Sequence, residues 1–268
     1  MKIDAETKSA LEILHDVLEE EDIHACLVGA IVPYLCLALP LSLTIRETAD
    51  IDSVVQVQSW EQFERLKKRL VECGFSFGRE PHRMLYGEHT IIDLLPYGPR
   101  LIKNGHLIWG ESGKSMNVAG FRMLFSHAKP QTIAPWMEWL VAPLPLFVIL
   151  KILCYEDRFY PRDLADIIFC LIHYEEDIEN SRRFELVGNV SGLNWDVAGA
   201  YLLGTESKKF IEPSISIVVR AFLNRFVSPD VPEIDMALRE LGTVLPEDSD
   251  REQIYLLFEW FSKGLKCK

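Results

Sequence analysis

The chain has 268 residues, of which 49% are hydrophobic and 25% are charged, a composition that allows a substantial core and excludes an intrinsically disordered protein. Aspartate and glutamate number 40 and lysine and arginine 28, so the formal net charge is −12. Because acidic residues outnumber basic ones on both sides of Pro130, we expect no extended phosphate-binding surface, although a local basic patch is compatible with this balance.

The sequence predicts a cytoplasmic protein without a membrane segment. Its N-terminus lacks the apolar stretch of a signal peptide. Residues 25–45 carry no charge and have the length of a bilayer span, but Gly29, Pro33 and Pro40 divide them and no Lys or Arg cluster flanks them. The six cysteines form no CxxC pair and lie mostly in apolar segments, which is typical of free thiols in a reducing compartment.

Hydrophobic periodicity predicts alternating helices and strands in the first part of the chain. Leu11, Leu14 and Leu18 repeat at helical spacing, and Gly87 and Glu88 fit a tight turn between two strands. The predicted elements are helices over residues 5–20, 31–38 and 60–73 and strands over residues 24–28, 43–57, 83–86, 90–95, 106–109 and 117–121.

Helical patterns dominate after Pro143. The predicted helices cover residues 144–155, 162–174, 195–203, 215–225 and 253–261. These patterns predict an α+β protein, in which a mixed sheet with flanking helices is followed by a mostly helical C-terminal half. We place the boundary of the two domains after residue 130, so that residues 1–130 form the core and residues 131–268 the helical domain.

Three aspartates in two apolar strands are the main chemical signal. Side chains two residues apart on a strand point the same way, so Asp50 and Asp52 should share a face. Asp93 lies in a second apolar strand and would join them if the strands are neighbours. Three carboxylates together are costly to bury without a cation, and oxygen-rich ligation suits Mg²⁺ or Mn²⁺. Alternatively, Asp50 and Asp52 lie at an exposed strand end and Asp93 caps a turn before Pro96.

The dipeptide Gly29-Ala30 is a second signal. It falls between a predicted strand and a predicted helix, where free backbone amides and the positive end of the helix dipole bind phosphate. A glycine at such a turn also occurs for steric reasons alone.

In order and spacing, these pieces resemble the DNA polymerase β-type nucleotidyltransferases, with a Gly-Gly or Gly-Ser turn, an Asp-x-Asp strand and a third carboxylate. More narrowly, the sequence resembles the AbiEii-like group, which includes toxins of type IV toxin–antitoxin pairs. The matching segments lie within residues 23–175. They are Leu27-Val-Gly-Ala30, Arg46-x-Thr-x-Asp-Ile-Asp52, Asp93, Leu146 to Lys151, and Arg162-Asp-Leu-Ala-Asp-Ile167.

The resemblance implies a nucleotidyltransferase-type sheet, an NTP substrate and a magnesium or manganese cofactor, and it assigns roles to nine residues. The catalytic and metal-binding residues would be Asp50, Asp52 and Asp93. The nucleotide-binding residues would be Gly29, Ala30, Arg46, Thr48, Lys151 and Asp163. The helical domain would complete the cleft for nucleotide and acceptor.

Several of these residues also have structural explanations. Lys151 would otherwise be the one solvated position of a buried helix, and Asp163 would favour the dipole of a helix that begins near Pro161. Arg46 and Thr48 would be solvated at a strand edge. Ala30 departs from the family pattern, since a serine hydroxyl there would contact phosphate, so Ala30→Ser should tighten NTP binding.

The sequence therefore predicts transfer of a nucleoside monophosphate from an NTP to a hydroxyl of RNA, a protein or a small molecule. The toxin resemblance adds a cognate antitoxin as an expected partner. Two alternatives stay open: an enzyme that modifies small molecules such as antibiotics, and a catalytically silent relative that binds a nucleotide or a partner.

Overall fold

The computed structural model describes residues 3–46, 48, 50–110, 113–177, 181–242 and 250–266. The chain divides into two compact units. Residues 1–32 and 47–143 form the first unit, and residues 33–46 and 144–268 form the second.

The described residues of the first unit form ten strands and several helices. Its strands are β1 (Ala25–Val28), β2 (Asp50–Gln56), β3 (Ser76–Phe77), β4 (Arg83–Tyr86), β5 (Thr90–Tyr97), β6 (Ile102–Lys103), β7 (His106–Ile108), β8 (Ser115–Asn117), β9 (Lys129–Ala134) and β10 (Met137–Val141). Its helices are α1 (Ala5–Glu20), α3 (Trp60–Glu72) and α4 (Leu124–His127), the last preceded by a 3₁₀ turn at Phe121–Met123. The short helix α2 (Ile31–Pro33) follows β1 and continues as a π-helical segment, Tyr34–Ala38, whose residues belong to the second unit.

A seven-stranded mixed sheet organises this unit, with strand order β3-β4-β5-β2-β1-β10-β9. β2 runs parallel to β5 and antiparallel to β1, and β1 runs parallel to β10. β2 therefore lies inside the sheet between β1 and β5, so its side chains have neighbours from both strands. Strands β6, β7 and β8 form a separate three-stranded sheet.

Helices α1 and α3 pack against each other, and α1 also contacts β5. Asp4 caps α1 by accepting a hydrogen bond from the Thr7 amide, and Ser59 caps α3 in the same way. The predicted leucine stripe of α1 is buried, as is the face of α3 that contains Phe63 and Leu66. Apolar residues at helical spacing thus form the core of this unit.

The second unit consists of helices. They are α5 (Leu144–Arg158), α6 (Pro161–His173), α7 (Arg183–Asn189), α8 (Trp195–Ser207), α9 (Pro213–Arg225), α10 (Pro232–Leu241) and α11 (Arg251–Lys266), with a 3₁₀ turn at Lys208–Phe210. Helix α6 packs against α5, α8 and α10, and α8 packs against α11. Among the described residues, no helix combines the length and the hydropathy that crossing a bilayer requires.

The predicted α+β class, with a mixed sheet followed by a mostly helical half, is confirmed. The units differ from the predicted domains, however, because the sheet includes β9 and β10 and so extends beyond residue 130. Residues 33–46 belong to the second unit, and the strand predicted over residues 43–57 begins only at Asp50. The strand predicted over residues 117–121 lies earlier, at β8.

The cysteines agree in part with the expectation of buried thiols. Cys26 and Cys170 are buried, whereas Cys36, Cys73 and Cys154 are partly exposed. Burial raises the pKa of the Cys26 thiol to about 12, so this residue is an inert part of the core. Cys267 lies outside the described residues.

Candidate active site

The first two carboxylates lie at the start of β2. Asp50 and Asp52 are partly exposed and alternate with the buried Ile51 and Ser53, as expected when one face of a strand is covered. Asp52 is in register with Val28 at the end of β1 and with Asp93 on β5. The parallel pairing of β2 with β5 thus brings the third predicted carboxylate next to Asp52.

The turn after β1 lies directly against Asp52. Gly29 has φ +70°, in the left-handed region that favours glycine. A Cβ atom at Gly29 would lie 1.9 Å from Oδ2 of Asp52. The Asp52 carboxylate therefore occupies the space that any side chain at position 29 would need, and glycine is required for the backbone conformation as well as for this contact.

Arg83, on β4, pairs with two of the three carboxylates. Its Nε donates to Oδ1 of Asp93 at 2.8 Å and its Nη2 to Oδ2 at 2.6 Å, a bidentate pair. Nη2 also donates to Oδ2 of Asp50 at 3.0 Å. The Asp93 side chain is 6% exposed, against 32% for Asp50, so the ion pair with Asp93 is largely removed from solvent.

These carboxylates raise the pKa of Arg83, chiefly through its hydrogen bonds with Asp93, so the guanidinium stays charged. On the other side of Asp93 lies His82, whose Nε2 is 3.6 Å from Oδ2 of Asp93 and whose ring packs on Trp109. Burial lowers the pKa of His82, and its Nδ1 has no hydrogen-bond partner among the described residues. Asp93 is thus flanked by one permanent cation and one imidazole that burial favours in the neutral form.

Thr48 and Ala30 lie at the edges of this group. Thr48 donates from Oγ1 to Oδ1 of Asp50 at 3.0 Å, which orients the Asp50 carboxylate. Ala30 is buried in the turn after Gly29. The amide of Val32 donates to the Gly29 carbonyl at 3.1 Å, where the helical segment begins.

The other three predicted nucleotide-binding residues lie together in the second unit, within a network of ion pairs. Asp163 accepts two hydrogen bonds from Arg158 and one, at 2.9 Å, from Nζ of Lys151. Nζ of Lys151 also lies 2.8 Å from Oδ2 of Asp166, which pairs bidentately with Arg46 at 2.6 and 2.8 Å. Three cations therefore surround two carboxylates that are almost fully buried.

Electrostatics within this network favour the charged forms of Asp163 and Lys151. Burial alone would raise the pKa of Asp163, but the hydrogen bond from Arg158 and the charge of Lys151 bring it below its ordinary value. Burial would lower the pKa of Lys151, and the charges of Asp166 and Asp163 raise it instead. Lys151 is thus paired with buried carboxylates rather than being the solvated position of its helix.

The carboxylates fit one magnesium ion better than two. Mg²⁺ is usually bound through one or two carboxylates, with substrate phosphates and waters completing its shell. Asp50 and Asp52 are partly exposed oxygen ligands at the start of one strand, which suits such an ion. Within the ranges that the structure describes, no three His, Cys, Asp or Glu side chains come together as a metal-binding group, and Asp93 pairs with Arg83 instead.

The structure thus brings together Gly29, Asp50, Asp52 and Asp93, with Thr48 and Ala30 beside them, and separately Arg46, Lys151 and Asp163. Sequence reasoning missed Arg83, and it included Asp166 only within the segment at residues 162–167, without a role in the site. A signal for Arg83 was present in the predicted hairpin, since a residue on one strand of a hairpin faces a residue on the other. Asp166 follows Asp163 by three residues on α6, so the two carboxylates lie on the same face of the helix.

Comparisons with known proteins give distant structural likenesses. No family model and no curated protein matches the sequence. The structure of ANT(2″)-Ia in complex with adenylyl-2″-tobramycin has a TM-score of 0.40 at 10% identity, covering 60% of this chain and 85% of that one. A solution structure of ANT(2″)-Ia, an antibiotic-resistance factor, has a TM-score of 0.36 at 9% identity, covering 81% and 91% of the two chains.

A tRNA-processing enzyme in an apo form has a TM-score of 0.27 at 12% identity, covering 99% of this chain and 91% of that one. With TM-scores of 0.40 or lower, neither the fold nor the function of this chain follows from these likenesses.

Proposed function

We propose that this chain is a nucleotidyltransferase, which moves a nucleoside monophosphate from an NTP to a hydroxyl group and releases pyrophosphate. The observation that carries the proposal is the contact of the Asp52 carboxylate with the Gly29 turn. It brings backbone amides that suit phosphate next to carboxylates that suit a divalent cation, and NTP chemistry needs both.

Each residue has a defined task in this reaction. The turn at Gly29 and Ala30 would bind the triphosphate, and Thr48 would hold the Asp50 carboxylate in position through its hydrogen bond. The acceptor hydroxyl loses its proton, its oxygen bonds to the α-phosphorus, and the bond from that phosphorus to the pyrophosphate breaks. The family resemblance makes Asp93 a catalytic residue, which would help to remove this proton, and that role stays a prediction.

Magnesium or manganese, held by Asp50 and Asp52, would supply positive charge to the triphosphate. Binding of the nucleotide by Arg46, Lys151 and Asp163 also stays a prediction. All three lie in the ion-pair network of the second unit, so their side chains are held in fixed positions.

The acceptor is RNA, a protein or a small molecule, and the net charge of −12 does not favour RNA among them. Membership of the AbiEii-like group, a function as a toxin, and a cognate antitoxin as partner belong to the same proposal. Each of them depends on the motif order in the sequence, in particular on Arg46, Thr48, Asp50 and Asp52.

A second candidate is a catalytically silent relative that binds a nucleotide or a partner. Two observations favour it. Ala30 provides no hydroxyl in the turn, and Asp93, the third carboxylate, has both oxygens paired with Arg83.

Calorimetry with NTP analogues that are not cleaved between the α- and β-phosphates tests whether the site binds nucleotide. With magnesium present, wild-type protein should bind at least one of the four analogues. Asp52→Asn should lose this binding, because the substitution removes one of the two carboxylates that would hold the magnesium ion. The exposed Glu12 on α1 provides the matched control, and Glu12→Gln should bind like wild type.

The outcomes separate the candidates. Binding that requires Asp52 and magnesium supports a nucleotide site, and release of pyrophosphate from the corresponding NTP with total RNA, total protein or aminoglycosides then identifies the enzyme and its acceptor class. Binding without release of pyrophosphate would favour the silent relative. Equal binding by wild type and Asp52→Asn would contradict the proposed site.

A further inference from the structure

The position of Arg83 is set by the sheet. Arg83 on β4 is the register partner of Asp93 on β5, so the two backbones are neighbours in an antiparallel pair. The carbonyl of Arg83 accepts a hydrogen bond from the Gly78 amide at 2.8 Å, and a Cβ at Gly78 would lie 2.5 Å from Cγ of Arg83. Backbone pairing on one side and a glycine on the other thus leave room for this side chain.

The guanidinium of Arg83 satisfies the least exposed carboxylate of the site. Asp93 has both oxygens engaged, by Nε and Nη2 of Arg83. Removing the cation would leave an uncompensated charge on a side chain that is 6% exposed, which a protein strongly disfavours. The planar fork of arginine matches a carboxylate in a way that lysine does not.

The same guanidinium also reaches Oδ2 of Asp50 at 3.0 Å. Arg83 thus bridges a carboxylate of β2 and a carboxylate of β5, which is where a metal ion shared by the two strands would have to bind. Asp50 also accepts hydrogen bonds, from Thr48 and Arg83, but its side chain is 32% exposed and can be reached by an ion from solvent. Asp93 is 6% exposed and pairs bidentately with Arg83, so a second divalent ion has little to gain there.

We propose that Arg83 is a fixed cation that serves Asp93 in place of a second metal ion, so that the site binds a single divalent ion through Asp50 and Asp52. This inference rests on the proposed nucleotidyltransferase site. Asp93 is then a positioning residue, which holds the Arg83 guanidinium against Asp50, and Arg83 supplies a positive charge that does not depend on the metal concentration.

Electron paramagnetic resonance of Mn²⁺ tests the inference without measuring activity. Full-length protein is saturated with Mn²⁺ and an ATP analogue that is not cleaved between its α- and β-phosphates, or with the analogue of whichever NTP the protein binds. Wild type should give the spectrum of isolated Mn²⁺ ions. Arg83→Met should give the spin-coupled spectrum of two neighbouring ions, because Asp93 then becomes available as a ligand.

The exposed Arg100, also in the first unit, provides a control of the same residue type. Arg100→Met should give the wild-type spectrum. Without metal, the chemical unfolding midpoint of Arg83→Met should lie below that of wild type, and Mn²⁺ should raise it more in the variant than in wild type.

A further variant keeps the inference testable if Arg83→Met fails to fold. Asp93→Asn retains the shape of the side chain and should leave both the isolated Mn²⁺ spectrum and the Mn²⁺ affinity unchanged within about twofold, because Asp93 is not a ligand. A larger loss of Mn²⁺ affinity in Asp93→Asn would overturn the inference, because it would show that Asp93 is a metal ligand.

The remaining outcomes are distinct. A spin-coupled pair in wild type would overturn the single-ion inference and leave the proposed function intact. A folded Arg83→Met protein that still gives the spectrum of isolated Mn²⁺ ions would also overturn the single-ion inference and leave the proposed function intact. If wild type bound no Mn²⁺ with any NTP analogue, the proposed function itself would fail, and the inference with it.

Discussion

At the scale of single residues, Gly29 is the most constrained position of the site. Its φ of +70° is one that residues other than glycine adopt at a cost of about 1–3 kcal/mol. The space for a side chain is also taken, since a Cβ would lie 1.9 Å from the Asp52 carboxylate. Any substitution of this glycine would therefore both strain the backbone at position 29 and displace the Asp52 carboxylate.

Gly29→Ala should lower the free energy of unfolding by at least about 1–3 kcal/mol and abolish nucleotide binding. Urea unfolding and calorimetry measure the two effects. Gly110→Ala is the matched control, because none of the described residues beyond its chain neighbours lies within 4 Å of the added Cβ, and it should retain nucleotide binding. Wild-type nucleotide affinity in a folded Gly29→Ala would show that the turn does not bind phosphate.

At this scale the sequence predicted which carboxylates would lie close together, in addition to the motifs that contain them. Asp50 and Asp52 are two residues apart on one strand, and Asp93 lies in another apolar strand, so their proximity followed from the patterns once the strands were neighbours. Their partners did not follow, because an ion pair depends on register and rotamer. Arg83 was therefore missed, although both strands of its hairpin were predicted.

At the scale of elements, the length of the turn between β4 and β5 determines whether Arg83 lies opposite Asp93. The sequence suggested a two-residue turn at Gly87 and Glu88, whereas the hairpin pairs Tyr86 with Thr90, so three residues separate the strands. A shift of one residue in register moves a side chain to the opposite face of a sheet. The shorter turn would have placed Ile92, not Asp93, opposite Arg83.

Glu6 of α1 stabilises this longer turn. Its carboxylate accepts hydrogen bonds from the amides of Glu88, His89 and Thr90 and from the Thr90 hydroxyl. A Cβ at Gly87 would lie 2.3 Å from Cδ of Glu6. The register of the hairpin thus depends on a residue far away in the sequence, which local patterns do not reveal.

The stability of the protein at acid pH should depend on the contact between the Glu6 carboxylate and this turn. Hydrogen bonds, above all from the Glu88 amide, lower the pKa of Glu6 from 4.5 to about 2. A group whose pKa is lower in the folded state stabilises the fold fully above its unfolded pKa and loses this effect as the pH falls towards its folded pKa. The contribution of Glu6 should therefore disappear between pH 4.5 and about 2.

Urea unfolding midpoints of wild type and Glu6→Gln, measured across this pH range, check the prediction. The variant should be the less stable at neutral pH, and the two midpoints should converge as the pH falls. Midpoints that differ by a constant amount over the whole range would mean that the carboxylate charge has no part in holding the turn.

In the second unit, two glycines allow close contact between helices α8 and α11. A Cβ at Gly204 would lie 2.3 Å from the Phe261 carbonyl oxygen, and one at Gly264 would lie 2.2 Å from that of Tyr201. The neighbouring atoms belong to backbone, which cannot move aside as a flexible side chain does. These glycines are therefore needed for helix packing.

Gly204→Ala should lower the free energy of unfolding by about 1–3 kcal/mol, as expected for overpacking. In Gly188→Ala, in α7, no atom of the described part of the chain other than the helix's own neighbouring residues lies within 4 Å of the added Cβ, so the change should be neutral or stabilise the protein by up to about 1 kcal/mol. Denaturant unfolding of both variants gives the comparison, and effects of the same sign would contradict this account of the helix contact.

At the scale of the whole molecule, composition and periodicity sufficed for the α+β class and for most helices of the second unit. The sheet extends past the predicted domain boundary at residue 130, because β9 spans that residue and β10 follows it. Pro130 is tolerated because β9 is the edge strand of the sheet. Met137, Glu138 and Trp139 alternate apolar and polar side chains, the pattern of a half-buried strand, and they lie in β10.

The central claim is that the carboxylate against the Gly29 turn serves nucleotidyl transfer, and the fate of the label from an NTP tests it most directly. Protein, magnesium and total RNA, total protein or aminoglycosides are incubated with NTP labelled on either the α- or the γ-phosphate. We expect the α-label on the acceptor and the γ-label in pyrophosphate, with both signals lost in Asp52→Asn and kept in Glu12→Gln. Transfer of the γ-label to the acceptor, or transfer of the α-label that survives Asp52→Asn, would contradict the claim.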